Sequence, residues 1–291
     1  MPEYMKRTAL FCIPLLIAAI PDLLATRLVE VKILDRDYLV VCFRDGEVFY
    51  TEQGYGPSAY SGHDYSPGDD TLVIYGDELD TGLAGATGTW KIISREDENY
   101  GRKGLEPVAV HRKSKVNNTD NNWNYRLDHW IFLKLPHPMQ EGKDYTLRIS
   151  RKLEAGVRKE SFTYDNFSNE SEAVHVNIIG YTPDSPVKSA DLYYWMGDGG
   201  QRDYSGFEGN SVWIYHVDTG EREKVGSVYF WKDDDLEAEA LGRNLTGSDV
   251  WNADFTGFSK PGHYRLVVEG VGCSAEFSID ANIYFDPFKT S

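Results

Sequence analysis

Three groups of carboxylates, Asp45/Glu47, Asp69/Asp70 and Asp233-Asp234-Asp235, carry the functional groups that acid–base hydrolysis would use. Glycosidic cleavage needs two carboxyls facing each other across a cleft, one protonated and one ionised. Neighbours in a turn cannot span a cleft. These groups therefore read as solvated turns, with calcium left open as an oxygen-bound ion. The seven histidines, His63, His111, His129, His137, His175, His216 and His263, are scattered. None falls into a Ser/His/Asp or metal-binding pattern by spacing, so each reads as structural. There is no His/Cys zinc spacing, Gly-x-Ser-x-Gly elbow, Walker loop or dinucleotide fingerprint. Gly197-Asp198-Gly199-Gly200 reads as a mobile hairpin with no helix behind it to hold a phosphate. The residues thus assign no catalytic group and no metal ligand.

Binding is better represented. Flat aromatic faces stack on pyranose rings, and Trp123 with Tyr125, beside an Asn-rich stretch, is the expected carbohydrate-binding pair. Tyr55, Tyr60 and Tyr65 come next, with loop anchoring as the competing role. Asn-x-Ser/Thr sequons stand at Asn117, Asn166, Asn169 and Asn244. They matter only in a host that glycosylates.

Elements must position these groups, and composition bounds what they are. The chain has 291 residues, a formal net charge of −16, and 13% aromatics with 19 Tyr. Such acidity repels nucleic acid and anionic lipid, so neither is an expected partner. Lys6-Arg7, an apolar run from Thr8 to Ile20 and Leu23-Leu24-Ala25 read as a signal peptide over 1–25. The run is too short for a comfortable span, and no later segment is apolar enough. A secreted or periplasmic protein is expected. Cys42 and Cys273, in strands of different halves, read as buried free thiols.

After residue 26 the sequence is a succession of short alternating runs. Arg27–Leu34, Tyr38–Phe43, His129–Leu135 and Asp144–Ser150 are expected strands of a first set. The polar stretch Asp165–Glu172 is the expected boundary. Val174–Ile179, Ser189–Tyr194, Ser211–His216, Lys224–Trp231, Val250–Asp254, His263–Glu269 and Ala275–Ile279 form a second set of seven. The only helical candidate is Asp233–Gly242. The expected fold is all-β, two β-sandwich domains in tandem over 26–172 and 173–291, the second immunoglobulin-like.

The second half also resembles a known family. Asn177, Gly180, Tyr181, Pro183 and Lys188 match an Asn-x-x-Gly-Tyr…Pro…Lys pattern, with Ile178 where Gln is usual. Asp254-Phe255, then Gly262-His263-Tyr264, then Ser274, Phe277, Ile279 and Tyr284 match its close. Together they resemble the N-terminal immunoglobulin-like domain of glycoside hydrolase family 9 cellulases (the CelD N-terminal type). The resemblance covers Ala173 to Ser291, and it suggests that the first half is a further sandwich placed before that domain. In that family an Asp base and a Glu acid act in a helical (α/α)6 barrel after this domain. No barrel is present, so no catalytic residue carries over, and the chain alone is expected to be inactive. The resemblance implies β-glucan breakdown outside the cytoplasm and a downstream (α/α)6 partner. Tyr284, Phe285 and Phe288 are then the start of a linker and half of an interdomain docking surface. Two alternatives stay open: a stand-alone carbohydrate-binding protein and a ligand-free spacer.

Overall fold

Short strands, some alternating and some apolar on both faces, build most of this computed structural model, which describes residues 26–49, 71–74, 77–119, 123–234 and 247–290. The expected signal peptide, Tyr55, Tyr60, Tyr65, Asn244 and most of the expected helix at 233–242 lie outside those residues.

The first set of strands is β1 (Arg27–Asp35), β2 (Tyr38–Arg44), β3 (Gly46–Phe49), β4 (Thr71–Ile74), β5 (Trp90–Ile93), β6 (Ala109–Thr119), β7 (Tyr125–Lys134), β8 (Lys143–Ile149) and β9 (Lys159–Tyr164). The second set begins with β10 (Val174–His175), β11 (Ser189–Leu192), β12 (Ser211–His216), β13 (Arg222–Ser227) and β14 (Tyr229–Lys232). It ends with β15 (Val250–Asp254), β16 (Gly262–Val268), β17 (Gly272–Cys273) and β18 (Phe277–Ile279). Two short α-helices, α1 (Thr81–Ala84) and α2 (Phe285–Thr290), and a few single 3-10 turns accompany the strands among the described residues. The protein is all-β.

In the first half, the sheet β1-β2-β7-β6 faces the sheet β5-β8-β9. Leu39, Val41, Phe43, Ile131 and Leu133 meet Trp90, Ile92, Tyr145 and Leu147 in one core. In the second half, β10-β11-β15-β14 faces β13-β12-β16 with β17 and β18. Leu192, Trp251 and Ala253 meet Val212, Ile214, Leu266 and Phe277 there.

Because side chains alternate across a strand, β1, β2 and β7 have a second face. Leu34, Tyr38, Val40, Cys42 and Phe132 on that face join the core of the second half. One sheet therefore serves two cores. Phe132 meets the Tyr194 ring edge-on at 5.7 Å. Polar contacts close the rim of this seam. Arg202 Nε donates to Asp35 at 2.8 Å and its Nη2 to Asp37 at 3.0 Å. Lys32 donates to Glu172 at 2.7 Å, and the Tyr194 hydroxyl donates to the other Glu172 oxygen at 2.7 Å. Burial pushes the Glu172 carboxyl up, but the bonds from Lys32 and Tyr194 outweigh it and hold the carboxyl below its ordinary value.

The segment expected to be a mobile hairpin is part of this seam. Gly197–Gly199 is a 3-10 turn packed on β6, and the Arg112 amide donates to Asp198 at 2.6 Å. Gly197 has φ +68°, and a Cβ there would strike the Arg112 backbone carbonyl. Glycine is needed for both reasons. Cys42 and Cys273 are free and buried. Burial raises both thiols, to about 12 and about 11, so neither ionises near neutrality.

Candidate functional site

The three sequence segments that stand out in the second half meet at one end of its sandwich. The strand expected over Val174–Ile179 stops at His175 because Asn177 turns the chain. The Asn177 side chain accepts from the Ile179 amide at 3.1 Å and donates to the Gly180 carbonyl at 2.8 Å. Gly180 has φ +111°, and a Cβ there would strike the Ser278 carbonyl. That missing Cβ lets the turn lie flat on β18. Tyr181 then donates its amide to Ser278 O at 2.9 Å and accepts from the Asp280 amide at 3.1 Å. Its ring stands edge-on to Phe255 and Phe277, at 5.3 and 5.6 Å.

Lys188 is fully buried, and its ammonium donates to the carbonyls of Pro183 and Ser185 at 3.1 and 3.2 Å. The Lys188 carbonyl accepts from the Phe255 amide at 2.8 Å, tying in the third segment. The Tyr284 hydroxyl donates to the Gly180 carbonyl at 3.0 Å, which clips the chain leading into α2 onto the turn. Phe285 and Phe288, expected to begin a linker, are instead helical and are 64% and 81% exposed. Ile178, Ile179 and Val187 are exposed around the same turn. A groove of about 420 Å³ runs between β16, β18 and α2, lined by His263, Ser278, Ile283 and Phe285. The result is a hydrogen-bonded turn with exposed aromatics beside a groove whose lining also includes Asp280, Asn282 and Asp286.

The expected sugar-binding pair lies elsewhere. Trp123 is 80% exposed with φ +61°, and Tyr125 begins β7 opposite Thr119. The structure does not bring either of them near the C-terminal face.

Two constellations were not legible from spacing. Ser114 Oγ lies 2.8 Å from His129 Nδ1, and His129 Nε2 lies 2.9 Å from Asp45 Oδ2. This is a Ser–His–Asp chain, and the reading that no histidine joins such a group is corrected. Ser114 and His129 are cross-strand partners on β6 and β7, so only the register reveals them. The imidazole is 2% exposed, Asp45 also accepts from the Leu79 amide, and Ser114 accepts from Arg112. Ser114 sits mid-strand, where successive amides point to opposite sides and cannot converge on an oxyanion. The chain works as a satisfied buried network joining strands.

The second is Glu141 with Asp165. Burial, then the neighbouring Asp165, pushes the Glu141 carboxyl up to about 7, while hydrogen bonds from Ser168 and the Phe167 amide hold Asp165 below its ordinary value despite burial. Split carboxyls are the signature of acid–base work. Their contacts are those of a turn: Glu141 accepts from the Asn166 amide and side chain at 3.1 and 2.6 Å, and Asp165 accepts from Phe167 and Ser168 at 2.9 and 2.7 Å. Among the described residues no group of three or more His, Cys, Asp or Glu could hold a metal ion.

No protein-family model matches the chain. Over 54 residues it is 43% identical to endoglucanase D of Acetivibrio thermocellus, covering 19% of this chain and 9% of that protein. Endoglucanase D of a named strain of the same species gives the same identity over 8% of its length. The match thus spans less than a tenth of those relatives, and over that stretch the chain is related to an endoglucanase. A solved structure of a metagenome-derived glycoside hydrolase family 9 endoglucanase overlaps 39% of this chain and 18% of its own, at 28% identity and a TM-score of 0.31. That overlap is too loose to carry a fold argument. No helix among the described residues is long and apolar enough to cross a membrane.

Proposed function

We propose that this chain is a non-catalytic portion of a secreted β-glucan-degrading system related to family 9 glycoside hydrolases, with the second sandwich as a platform for a catalytic (α/α)6 domain. The observation that carries the reading is the clip at Gly180, Tyr181, Ser278 and Tyr284. It holds α2 and its two phenylalanines in one orientation, as a docking surface requires. The partial relationship to endoglucanase D supplies the substrate class.

The test compares melting of the chain alone with melting of the chain joined to a family 9 (α/α)6 domain. Docking raises the melting temperature of the sandwich, and Phe285→Ala with Phe288→Ala removes the rise. An unchanged melting temperature overturns the docking role. The chain alone releases no reducing sugar from soluble cellulose or mixed-linkage glucan. Measurable turnover overturns the non-catalytic reading.

A further inference from the structure

The outer face of the sheet β10-β11-β15-β14 carries a second set of exposed aromatics, far in sequence from the hairpin at Trp123. Register places His175, Asp191, Asn252 and Tyr229 in one transverse row, each opposite the next across the four strands. Hydrogen bonds lock the row. Tyr229 donates its hydroxyl to Asn252 Oδ1 at 3.0 Å, and Asn252 Nδ2 donates to Asp191 Oδ1 at 2.9 Å. Tyr193, two residues beyond Asp191, shares this face and stacks on the His175 ring at 4.2 Å and 22°.

At the edge strand β14 the ladder slips. Phe230 opposes Trp251 and Lys232 opposes Val250, so Trp231 is an inserted residue. A bulge sets two residues opposite one and re-aims their side chains. Trp231 is thereby turned, with Lys232, to the side of Val250, on the same outer face. Tyr229 and Trp231 are 42% and 56% exposed.

We propose that this face binds a neutral β-linked glucan chain. Flat rings of Tyr193, Tyr229 and Trp231 offer stacking surfaces to the C–H faces of pyranose rings. Asp191, set between them, meets the equatorial hydroxyls that radiate from those rings, while Asn252, buried at 6% exposure and bonded on both sides, holds the carboxylate in place. Tyr193, just past the end of β11, and Tyr229 are two strand spacings apart across β15 and two residues apart along it, about 12 Å in all. That is about two sugar units of an extended chain. Charge decides against the other occupants. A carboxylate in the centre of the row does not suit the core of a protein interface, where charged groups are depleted. A chain of net charge −16 repels polyuronates, nucleic acid and anionic lipid alike. An uncharged polymer rich in hydroxyls fits both the rings and the charge.

The ligand class rests on the glucan-degrading reading above, whereas the site does not touch the docking surface. The experiment measures retention of the full chain by barley mixed-linkage glucan and by polygalacturonate in affinity gels, alongside the melting comparison with the (α/α)6 domain. Wild type is retarded by the glucan and not by polygalacturonate. Trp231→Ala weakens retention about tenfold or more, as loss of one buried aromatic anchor does, and Tyr229→Phe weakens it less. Trp123→Ala leaves it unchanged. Trp231→Ala alters a surface side chain, so its circular dichroism and melting stay as in wild type, whereas Tyr229→Phe also removes the bond to the buried Asn252 and lowers melting slightly. No retention of the wild type, equal retention by polygalacturonate, or loss in Trp123→Ala but not in Trp231→Ala overturns the proposal. If the melting rise is absent while glucan retention depends on Trp231, the docking reading has failed and this one stands.

Discussion

Two surfaces of the second half show how differently this molecule treats apolar area. The seam to the first half is closed. Its centre is Leu34, Val40, Cys42, Phe132 and Tyr194, and its rim is clamped by Arg202 on Asp35 and Lys32 on Glu172. The C-terminal face is open. Phe285 and Phe288 stand exposed, and its polar bonds point inward to hold the turn rather than outward to grip anything. The difference teaches that the two halves form one body, whereas the far face is pre-shaped without a built-in partner.

The largest way to break the comparison is Arg202→Ala. Asp35 is fully buried, and removing its partner leaves an unpaired carboxylate at the seam. The expected loss is about 3–5 kcal/mol in denaturant unfolding. A loss under about 1 kcal/mol would mean that the seam is held by packing alone. Next comes Gly180→Ala on the open face. The positive φ and the close Ser278 carbonyl make a Cβ costly, by about 2 kcal/mol. Because the turn also aims α2, the variant joined to a catalytic domain should lose the melting rise along with its own stability.

A smaller effect sharpens the account of the rim. The folded Glu172 carboxyl lies below the usual 4.5. Its contribution is therefore present above that value and lost as pH falls through the folded pKa. Lys32 is raised: burial lowers it, and the bonds to Glu172 and Glu30 outweigh that. Its contribution is present below the usual 10.5 and lost as pH rises above it. Between these limits the clamp is constant. Glu172→Gln costs about 1 kcal/mol at neutral pH, since the pair is partly exposed, and flattens the acid limb of a stability–pH curve. An unchanged limb places acid sensitivity elsewhere. The smallest effect is Phe288→Ala in the chain alone, within about 0.5 kcal/mol because the ring packs little of the core. A substantially larger loss would show that this ring is structural after all.

How much of this was readable in advance follows the range of the interactions. Ser211–His216 matches to the residue because alternation against one sheet face is a local signal; Val250–Asp254 also matches, as a short apolar run buried on both faces. Val174–Ile179 was drawn too long, since the Asn177 turn wins over a run of β-branched residues. Gly197–Gly200 reads as a mobile hairpin in the sequence because its partner, β6, lies far upstream: Arg112 and Asp198 are 86 residues apart. Ser114, His129 and Asp45 meet only through strand register. The motif at Asn177–Lys188 was visible, but not that its lysine would be buried as a brace for its own turn. The sheet-face aromatics left one overlooked trace, the unbroken run Tyr229-Phe230-Trp231. A run without alternation at an edge strand marks a bulge or an exposed surface.

The sheet that serves two cores has a consequence for how the chain is made. Lys32, Leu34 and Asp35 find their second-face partners 140, 137 and 167 residues later. At about 5–20 residues per second of synthesis, that interval is on the order of ten seconds. Once β7 has been made, ending at Lys134, the first sheet can be complete on one side while Leu34, Val40 and Phe132 remain bare on the other until the second half follows. Such long-range closure slows folding and leaves a nascent apolar plane open to self-association. Yield in a heterologous host should therefore follow translation rate and chaperone supply more closely than the stability of the finished molecule.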